Sequence, residues 1–511
     1  MQQSNWLDRA IGFVAPERAL RRVQARTQIA RVAHARSLYE AASAGRRTQG
    51  WRTVSTDANA ETRAANAKLR DVSRDMVRNN PFAARAKAVI ANNTVGAGII
   101  PAVRAARQKR ADQVKELIDQ HLDTTDIDAD GRLNLYGLQW LAMATIVEAG
   151  EVLIRKRIRR SEDGYALPLQ IQVLEPDFLD TSVEGQLSNG NFAIQGVEFD
   201  LRGKRVAYYL YDQHPGATGI GARGTYRGTR VSADFVLHIC KVDRPGQVRG
   251  VSWFAPVIMR MRDFADLTDT QLIRQKIAAC YAAFITTTGG DDFIDDGSGE
   301  MSSNGYPVEA FEPGMIERLK EGESVSFGQP PSTQDFGPYA NVTLHEISSG
   351  LSIPYEVLTG VLTDVNFSSG RMGWLEFARA IDTYRWHMLI PQMLDPLGRW
   401  IREAVTLATG SSEPFRFLWT PPRREMIDQN TEIGAAIRSI RGGLNSRGDE
   451  IRKLGYDPEK VDAEIAADNE RADRLKLVLD SDPRKVSAAG LTQARSGELA
   501  LPTTDLPDAK T

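Results

Sequence analysis

The sequence predicts an α+β protein built from more than one compact unit, and three observations carry that prediction. The hydrophobic pattern switches from a helical period to a period of two beyond Gly150, a long uninterrupted helical stretch begins at Pro256, and 511 residues exceed what one ordinary core holds. Hydrophobic residues make up 42% and charged residues 25% of the chain, which is the balance of a folded protein and not of a disordered one.

Residues 1–61 read as a basic arm. The first 52 hold ten arginines (Arg9, Arg18, Arg21, Arg22, Arg26, Arg31, Arg36, Arg46, Arg47, Arg52) against Asp8, Glu17 and Glu40, a local balance of 10 − 3 = +7. Alanines between the arginines at helical spacing favour a solvated helix, with DNA, scaffold or a neighbouring subunit as the alternative contacts. From Thr62 to Ile90, Leu69, Val72, Met76 and Val77 recur at three- and four-residue steps, a helix that Asn80-Pro81 breaks. Another helix, Gly137 to Ala149, stops at Gly150. Strands follow at 152–157, 169–174, 206–211 and 235–239 between Gly, Pro and Asn turns.

From Pro256 to Thr288 no further Pro or Gly interrupts the chain, which predicts a helix of about 33 residues and about 50 Å. A polar segment (289–305), strand-like pieces ending at 325–327 and a returning helix at 339–349 complete a stalk that carries a knob. The Ser/Gly-rich stretch 363–371 leads into a further long helix, 372–409, bent or broken near Pro391 and Pro396. A charged helical region then runs from Trp419 to Leu479, with turns at Gly442-Gly443 and Gly455. The last thirty or so residues have the Ser, Thr, Pro and Asp content of a disordered tail.

Net charge is only −2, which removes the simplest argument for a protein that grips nucleic acid through its phosphates. Cys240 and Cys280 lie in apolar runs without a CxxC or Cys/His pattern, so both read as reduced core thiols of a protein made in a cytoplasm. No stretch reaches the roughly 18 apolar residues of a membrane-spanning helix, and the start lacks a secretory signal.

Several motifs imitate chemistry without completing it. Asp126, Asp128, Asp130 and Gly131 open like a calcium loop, but Gly137 stands where the closing Glu belongs, so a polar turn capping the next helix is the better reading. The segment Gly219 to Gly224 (GIGARG) matches a dinucleotide pattern, yet turn and strand follow it instead of a helix. There is no GxxxxGK[ST] and no GxSxG. Asp291, Asp292, Asp295 and Asp296 could in principle hold a metal for a DNA-processing enzyme, the rival function, but their Gly/Ser setting favours a solvated or docking surface. No catalytic residue, resident metal or cofactor is expected.

Four segments, in order, resemble the lambda-type family of phage portal proteins: RDMVRNNPFAARAKAVIANNTVGAGIIP (Arg74 to Pro101), LHICKVDRPGQVRGVSWFAPVI (Leu237 to Ile258), IPYEVLTGVLTDVNFSSGRMGWLEF (Ile353 to Phe377) and the crown-like stretch Gly442 to Leu475. The resemblance covers roughly Thr62 to Leu479. It implies a portal fold: a mixed α/β wing (62–250), a first stem helix (251–288), a clip (289–337), a second stem helix (338–352), a tunnel loop with a long wing helix (353–410), a helical crown (411–480) and a tail (481–511). It implies a ring of about twelve subunits at the portal vertex of a virion. Double-stranded DNA would pass through it, and the terminase large subunit, a head-tail connector or adaptor, and major capsid and scaffold proteins would be its partners. Another structural or adaptor protein of the virion is the remaining alternative.

On that reading the tunnel loop is Thr363, Asp364, Val365, Asn366, Phe367, Ser368, Ser369, Gly370 and Arg371, short polar residues that approach DNA without reading sequence. Asp263, Asp266 and Asp269, at three-residue steps on the first stem helix, are candidates to line the bore. The competing reading is a solvated face with subunit salt bridges to Arg262 or Arg274.

Overall fold

In the computed structural model the chain divides into two units, Met1–Asp57 and Ala58–Thr511. The described residues are 13, 15–37, 40–42, 45–51 and 53–57 of the first, and 58–218, 227–279, 283–287, 323–327, 336–363, 366–422, 428–454, 456, 458–479, 482 and 484 of the second. Gly219 to Gly224, Cys280, the acids from Asp291 to Asp296 and Gly455 therefore lie outside the described residues. Among its described residues the first unit contains a long helix, α1 (Pro16–Ser37), whose described side chains are exposed, as a solvated basic helix requires.

The second unit opens with α2 (Ala58–Asn79) and α3 (Pro81–Val95). They are separated where Asn80-Pro81 predicts. The Asn80 side-chain oxygen accepts from the N–H groups of Phe82 and Ala83 at 3.0 and 3.2 Å, and Pro81 takes a first-turn position that needs no N–H. After β1 (Ile100–Ala105) and α4 (Gln108–Leu122) comes α5 (Leu135–Ala149). Leu135, Leu138, Met143, Ile146 and Val147 are all buried, so α5 is a central core helix and not an amphipathic one. The turn before it uses its carboxylate internally. Asp128 accepts from the backbone N–H groups of Asp130, Arg132 and Leu133 at 3.0, 2.9 and 3.0 Å, and Asn134 caps α5 through Gly137 N–H at 2.9 Å.

Beyond Gly150 the pattern changes to strands, as expected. β2 (Glu151–Ile158) pairs antiparallel with β3 (Leu169–Leu174) on one side. A meander of β4 (Gly185–Gln186), β5 (Phe192–Ile194), β6 (Val197–Phe199), β7 (Arg205–Leu210) and β8 (Thr229–Ser232) follows, and β9 (Val236–Cys240) returns to the other side of β2. Leu153, Leu174, Val197, Tyr208 and Val236 form a small core of their own beside the main one.

The helix predicted over 251–288 is shorter. It is α6 (Ile258–Ala279), 22 residues and about 33 Å, preceded by turns and followed by β10 (Ala283–Thr287), which pairs with β11 (Glu323–Phe327). The run Phe284-Ile285-Thr286-Thr287 is aromatic and β-branched, so once a partner strand is present the sheet is preferred. α7 (Phe336–Leu351) is the returning helix, and α8 (Tyr355–Thr359) follows it.

The next long helix bends without breaking. α9 (Phe367–Tyr384) runs into a wide-turned segment, Arg385–Leu394, and then into α10 (Asp395–Thr409). Asp395 N–H bonds to Ile390 O, five residues back, so Pro391 sits in a wider turn and Pro396 opens α10. β12 (Phe415–Thr420) pairs with β1, and α11 (Gln429–Arg441), α12 (Arg447–Lys453) and α13 (Pro458–Leu475) close the described chain.

Two segments cross at backbone contact where the strand region meets α6. Gly150, at φ 91°, lies against Val251 and Ser252, and a Cβ on Gly250 would overlap the Gly150 carbonyl. Neither side of this contact is a flexible side chain that moves aside. Gly250→Ala is expected to destabilise the fold by at least about 1 to 3 kcal/mol, the cost of overpacking, read as a lowered urea midpoint with unchanged slope; an unchanged midpoint would contradict the close crossing.

Candidate functional site

The crossing is held by a buried charge cluster. Glu151, at the start of β2, is 1% exposed, and its two oxygens receive four donors. Arg249 Nε reaches Oε1 at 2.8 Å and an Arg249 terminal nitrogen reaches the same oxygen at 2.5 Å, while His238 Nε2 and Gly250 N–H reach Oε2 at 2.9 and 2.8 Å. α2 secures the same passage. Asn59 bonds Gly246 O and Val248 N–H, Asn66 bonds Gly250 O at 2.9 Å, and Ser73 meets Ser252 at 2.7 Å.

From this anchored passage Phe254, Val257, Met261 and Phe264 enter the main core. Phe264 meets Phe82 of α3 edge-on at 5.8 Å. α7 packs antiparallel to the root of α6: Arg260 pairs with Glu346 at 3.3 Å, and Gly350 admits Val257. The core contact then ends. No described residue from 265 to 276 is buried, and Leu272 and Ile273 are 50% and 56% exposed.

Asp263, Asp266 and Asp269 all lie on exposed positions of α6, turned away from Met261 and Phe264. Asp266 pairs with Arg262 at 3.8 Å, an exposed contact of little energetic weight. The loop before α9 is shorter than predicted. Thr363 and Asn366 are exposed, Asp364 and Val365 lie outside the described residues, and Phe367, Ser368, Ser369, Gly370 and Arg371 already belong to the first turns of α9. The first helical bond runs from Gly370 N–H to the Asn366 carbonyl at 3.0 Å, which puts the helix start at Phe367. Arg371 reaches towards α11, with Glu432 at 3.9 Å.

Glu175, Asp177 and His214 bring ligand atoms within 4.8 Å of one another, a convergence that sequence order did not suggest. Arg74 fills the space between them. It lies 3.1 Å from Glu175 and 2.5 Å from Asp177, with Arg70 3.0 Å from the other Asp177 oxygen, so the group is a charge-balanced knot tying α2 to the turn after β3. A cleft of about 780 Å³ beside Trp386 and Trp419 is rimmed by acids and bases that largely neutralise each other, Asp449 with Arg452 and Glu450 with Lys453. Among the described residues no helix is long and apolar enough to cross a membrane.

Burial, outweighing the pull of Glu151, keeps His238 below the ordinary imidazole range, and burial does the same to His121. Burial opposes ionisation of Glu151, but Arg249 first and then His238 hold its carboxyl well below the usual range. The Cys240 thiol is pushed up to about 12 by burial and then by Glu151, as an inert core thiol should be.

The chain is similar to several known proteins. The family model described as phage portal protein, lambda family, matches residues 44–385, so the resemblance noted for 442–475 lies beyond it. The probable portal protein of Halomonas phage phiHAP-1 is 27% identical over 437 residues, covering 80% of this chain and 81% of that protein. Portal protein B of Escherichia phage lambda is 24% identical over 307 residues, 53% of this chain and 56% of that one. Among solved structures, a chain from the neck of a native GTA particle computed with C12 symmetry aligns at 15% identity with a TM-score of 0.45, covering 76% of this chain and 94% of its own.

Neutral buried imidazoles set a pH dependence. Above about pH 7 neither folded nor unfolded chain protonates His121 or His238; as pH falls through about 6.5 the unfolded chain takes up protons that the folded one refuses. Stability is expected to fall by up to about 1.4 kcal/mol per pH unit for each imidazole, with a further fall below about 4.5 as Glu151 protonates in the unfolded chain. Urea titrations between pH 8 and 5 should show His238→Gln removing about half of the first decline; an unaltered profile would contradict the neutral buried imidazole.

Proposed function

The chain belongs to the lambda family of phage portal proteins, and from that membership we propose that it forms a ring of about twelve copies through which double-stranded DNA enters and leaves the capsid. As a portal protein it is a structural component of the virion at the portal vertex, not an enzyme. In this reading residues 62–250 are the wing, α6 and α7 the stem, 289–337 the clip, 353–410 the tunnel loop and long helix, and 411–480 the crown. The clip docks the terminase large subunit during packaging and the head-tail connector afterwards, while the outer parts meet major capsid and scaffold proteins.

The observation that carries the ring reading is α6 itself. It is rooted in the core as far as Phe264, yet its next twelve residues, 265–276, bury none of their side chains in the single chain. Leu272 and Ile273 stand in water there, and a neighbouring copy at the same height supplies the cover.

About twelve such helices spaced about 10 Å apart give a circumference of about 120 Å and a radius of about 19 Å. Subtracting about 5 Å of helix radius leaves a bore about 28 Å across, wide enough for a duplex about 20 Å wide and a layer of water. DNA carries about one charge per 1.7 Å, so a basic bore would hold it and a mildly acidic one keeps it mobile. The exposure of Asp263, Asp266 and Asp269 supports their facing the bore, and that of Thr363 and Asn366 supports a loop that narrows it.

Native mass measurement is expected to give 12 × 56.5 kDa = 678 kDa for the assembled ring, with a through-channel on imaging. A compact monomer under every assembly condition would sink the reading. Photo-crosslinkers introduced separately at Asn366 and Asp266 should both capture DNA in packaged particles. Capture at Asn366 alone would remove the acids from the bore, and capture at neither would remove the channel assignment.

A further inference from the structure

β2 carries a feature that a conduit role does not use. On the strand face that begins with Glu151 and Leu153, the next two positions are Arg155 and Arg157, and Arg159 continues the same spacing one residue past the end of β2, all three half-buried where the face emerges from the smaller core. Lys156 points the other way, to Glu403, Phe235 and Trp400. Like charges so close together repel, yet among the described residues none of these three arginines has an ion-pair partner within 4.0 Å.

They are held instead by neutral amides. Arg157 and Arg155 stand opposite Gln170 and Gln172 of β3. Gln172 Oε1 accepts from Arg157 Nε and a terminal nitrogen at 3.1 and 2.6 Å, and Gln170 Oε1 accepts from Arg159 Nε at 2.6 Å. Gln170 is 3% exposed and is itself fixed, its amide donating to the Asp126 and Asp128 carbonyls at 2.8 and 3.1 Å. Two of the guanidiniums are thus oriented by partners that leave their charge intact. Asp130 and Asp212 act on Arg157 only at longer range, while burial and then Arg155 and Arg159 lower its proton affinity.

We propose that this arginine row is a binding site for the phosphodiester backbone of nucleic acid. The chemistry favours phosphates over an acidic protein. Residues two apart on a strand stand about 6.6 Å apart, close to twice the axial step of about 3.4 Å per charge along one strand of a duplex, so the row can follow a phosphate backbone. Guanidinium forks fit phosphate oxygens, and amides between them carry no sequence information. A protein interface would instead present an aromatic or aliphatic anchor at its centre, whereas the exposed Ile158 lies on the opposite strand face. The site goes beyond the conduit reading and does not depend on which residues line the channel.

The test is binding of a short labelled duplex to the full-length chain, by fluorescence anisotropy over a range of salt. Each phosphate contact contributes about 0.9 to the slope of log affinity against log salt. Replacing Arg155, Arg157 and Arg159 together by Gln is expected to lower the slope by about 2 to 3, and replacing them by Lys should restore most of it. Arg155→Gln alone, which removes no hydrogen bond to a described residue, should weaken binding about eightfold at about 0.1 M salt, so the test survives a triple variant that folds poorly. Native mass of every variant separates a binding defect from an assembly defect. Slope and affinity unchanged in well-folded variants would overturn the proposal. So would polyglutamate of matched charge binding more tightly than the duplex and losing affinity in the same variants, which would assign the row to an acidic protein.

Discussion

A carboxylate taken out of water must be met on both oxygens, and the architecture turns on how Glu151 is met. Its donors come from β9 and from the passage that leaves β9, and they fall into place only when Arg249 and Gly250 cross the end of α5 at contact distance. Leaving one partner of such a group unanswered costs about 3 to 5 kcal/mol, a large share of the whole stability of a domain. The cluster therefore fixes geometry more than it adds stability. In this arrangement of β2, β9 and residues 247–252 both Glu151 oxygens are met, and the loss of any of these donors would leave a buried charge short of a partner.

The direction in which α6 departs follows from that arrangement. Phe254 is fully buried two residues after Ser252 is bonded to Ser73, and the helix begins four residues later with its first turns packed on α3 and α7. Residues 265–276 of α6 continue from this root with none of them buried in the single chain. A cantilever of this kind needs a stiff attachment, and buried charge supplies one that apolar packing alone does not, because hydrogen bonds specify angle as well as contact.

Local signals were legible in the sequence wherever a local cause determined the structure. The Asn80-Pro81 break, the start and end of α5, the alternation of β2, β3, β7 and β9, and the closed turn at Asp128 are each set by residues within a few positions of one another. The errors share a different origin. The helix predicted through Thr288 yields to a strand because its partner, Glu323–Phe327, is distant in sequence, and Pro-free continuity says nothing about pairing. β1 was missed for the same reason, since it exists through pairing with Phe415–Thr420. The first turns of α9 read as loop because Ser368, Ser369 and Gly370 are turn-forming residues, yet the helical bonds begin with Gly370 N–H on the Asn366 carbonyl. Glu151, His238 and Arg249 form one group only after the sheet closes, so no spacing rule identifies them.

The arginine row shows a further limit, one of averaging. A chain with 64 basic and 66 acidic side chains has almost no net charge, and that sum argued against a grip on nucleic acid. Charges act over about 8 Å at physiological salt, so what a passing phosphate meets is a patch and not a total. Arg155 to Arg160 reads RKRIRR, a run visible in the sequence, but its meaning depended on which residues share a face and what stands opposite them. Alternation along β2 sends Lys156 inward to Glu403 and leaves Arg155, Arg157 and Arg159 in line, and the register with β3 places glutamines, not acids, across from Arg155 and Arg157. A shift of one residue in that register would place Ile171 or Val173 there instead and remove the amides that orient Arg157 and Arg159, so the same sheet closure that satisfies Glu151 also decides whether these arginines are arranged to bind.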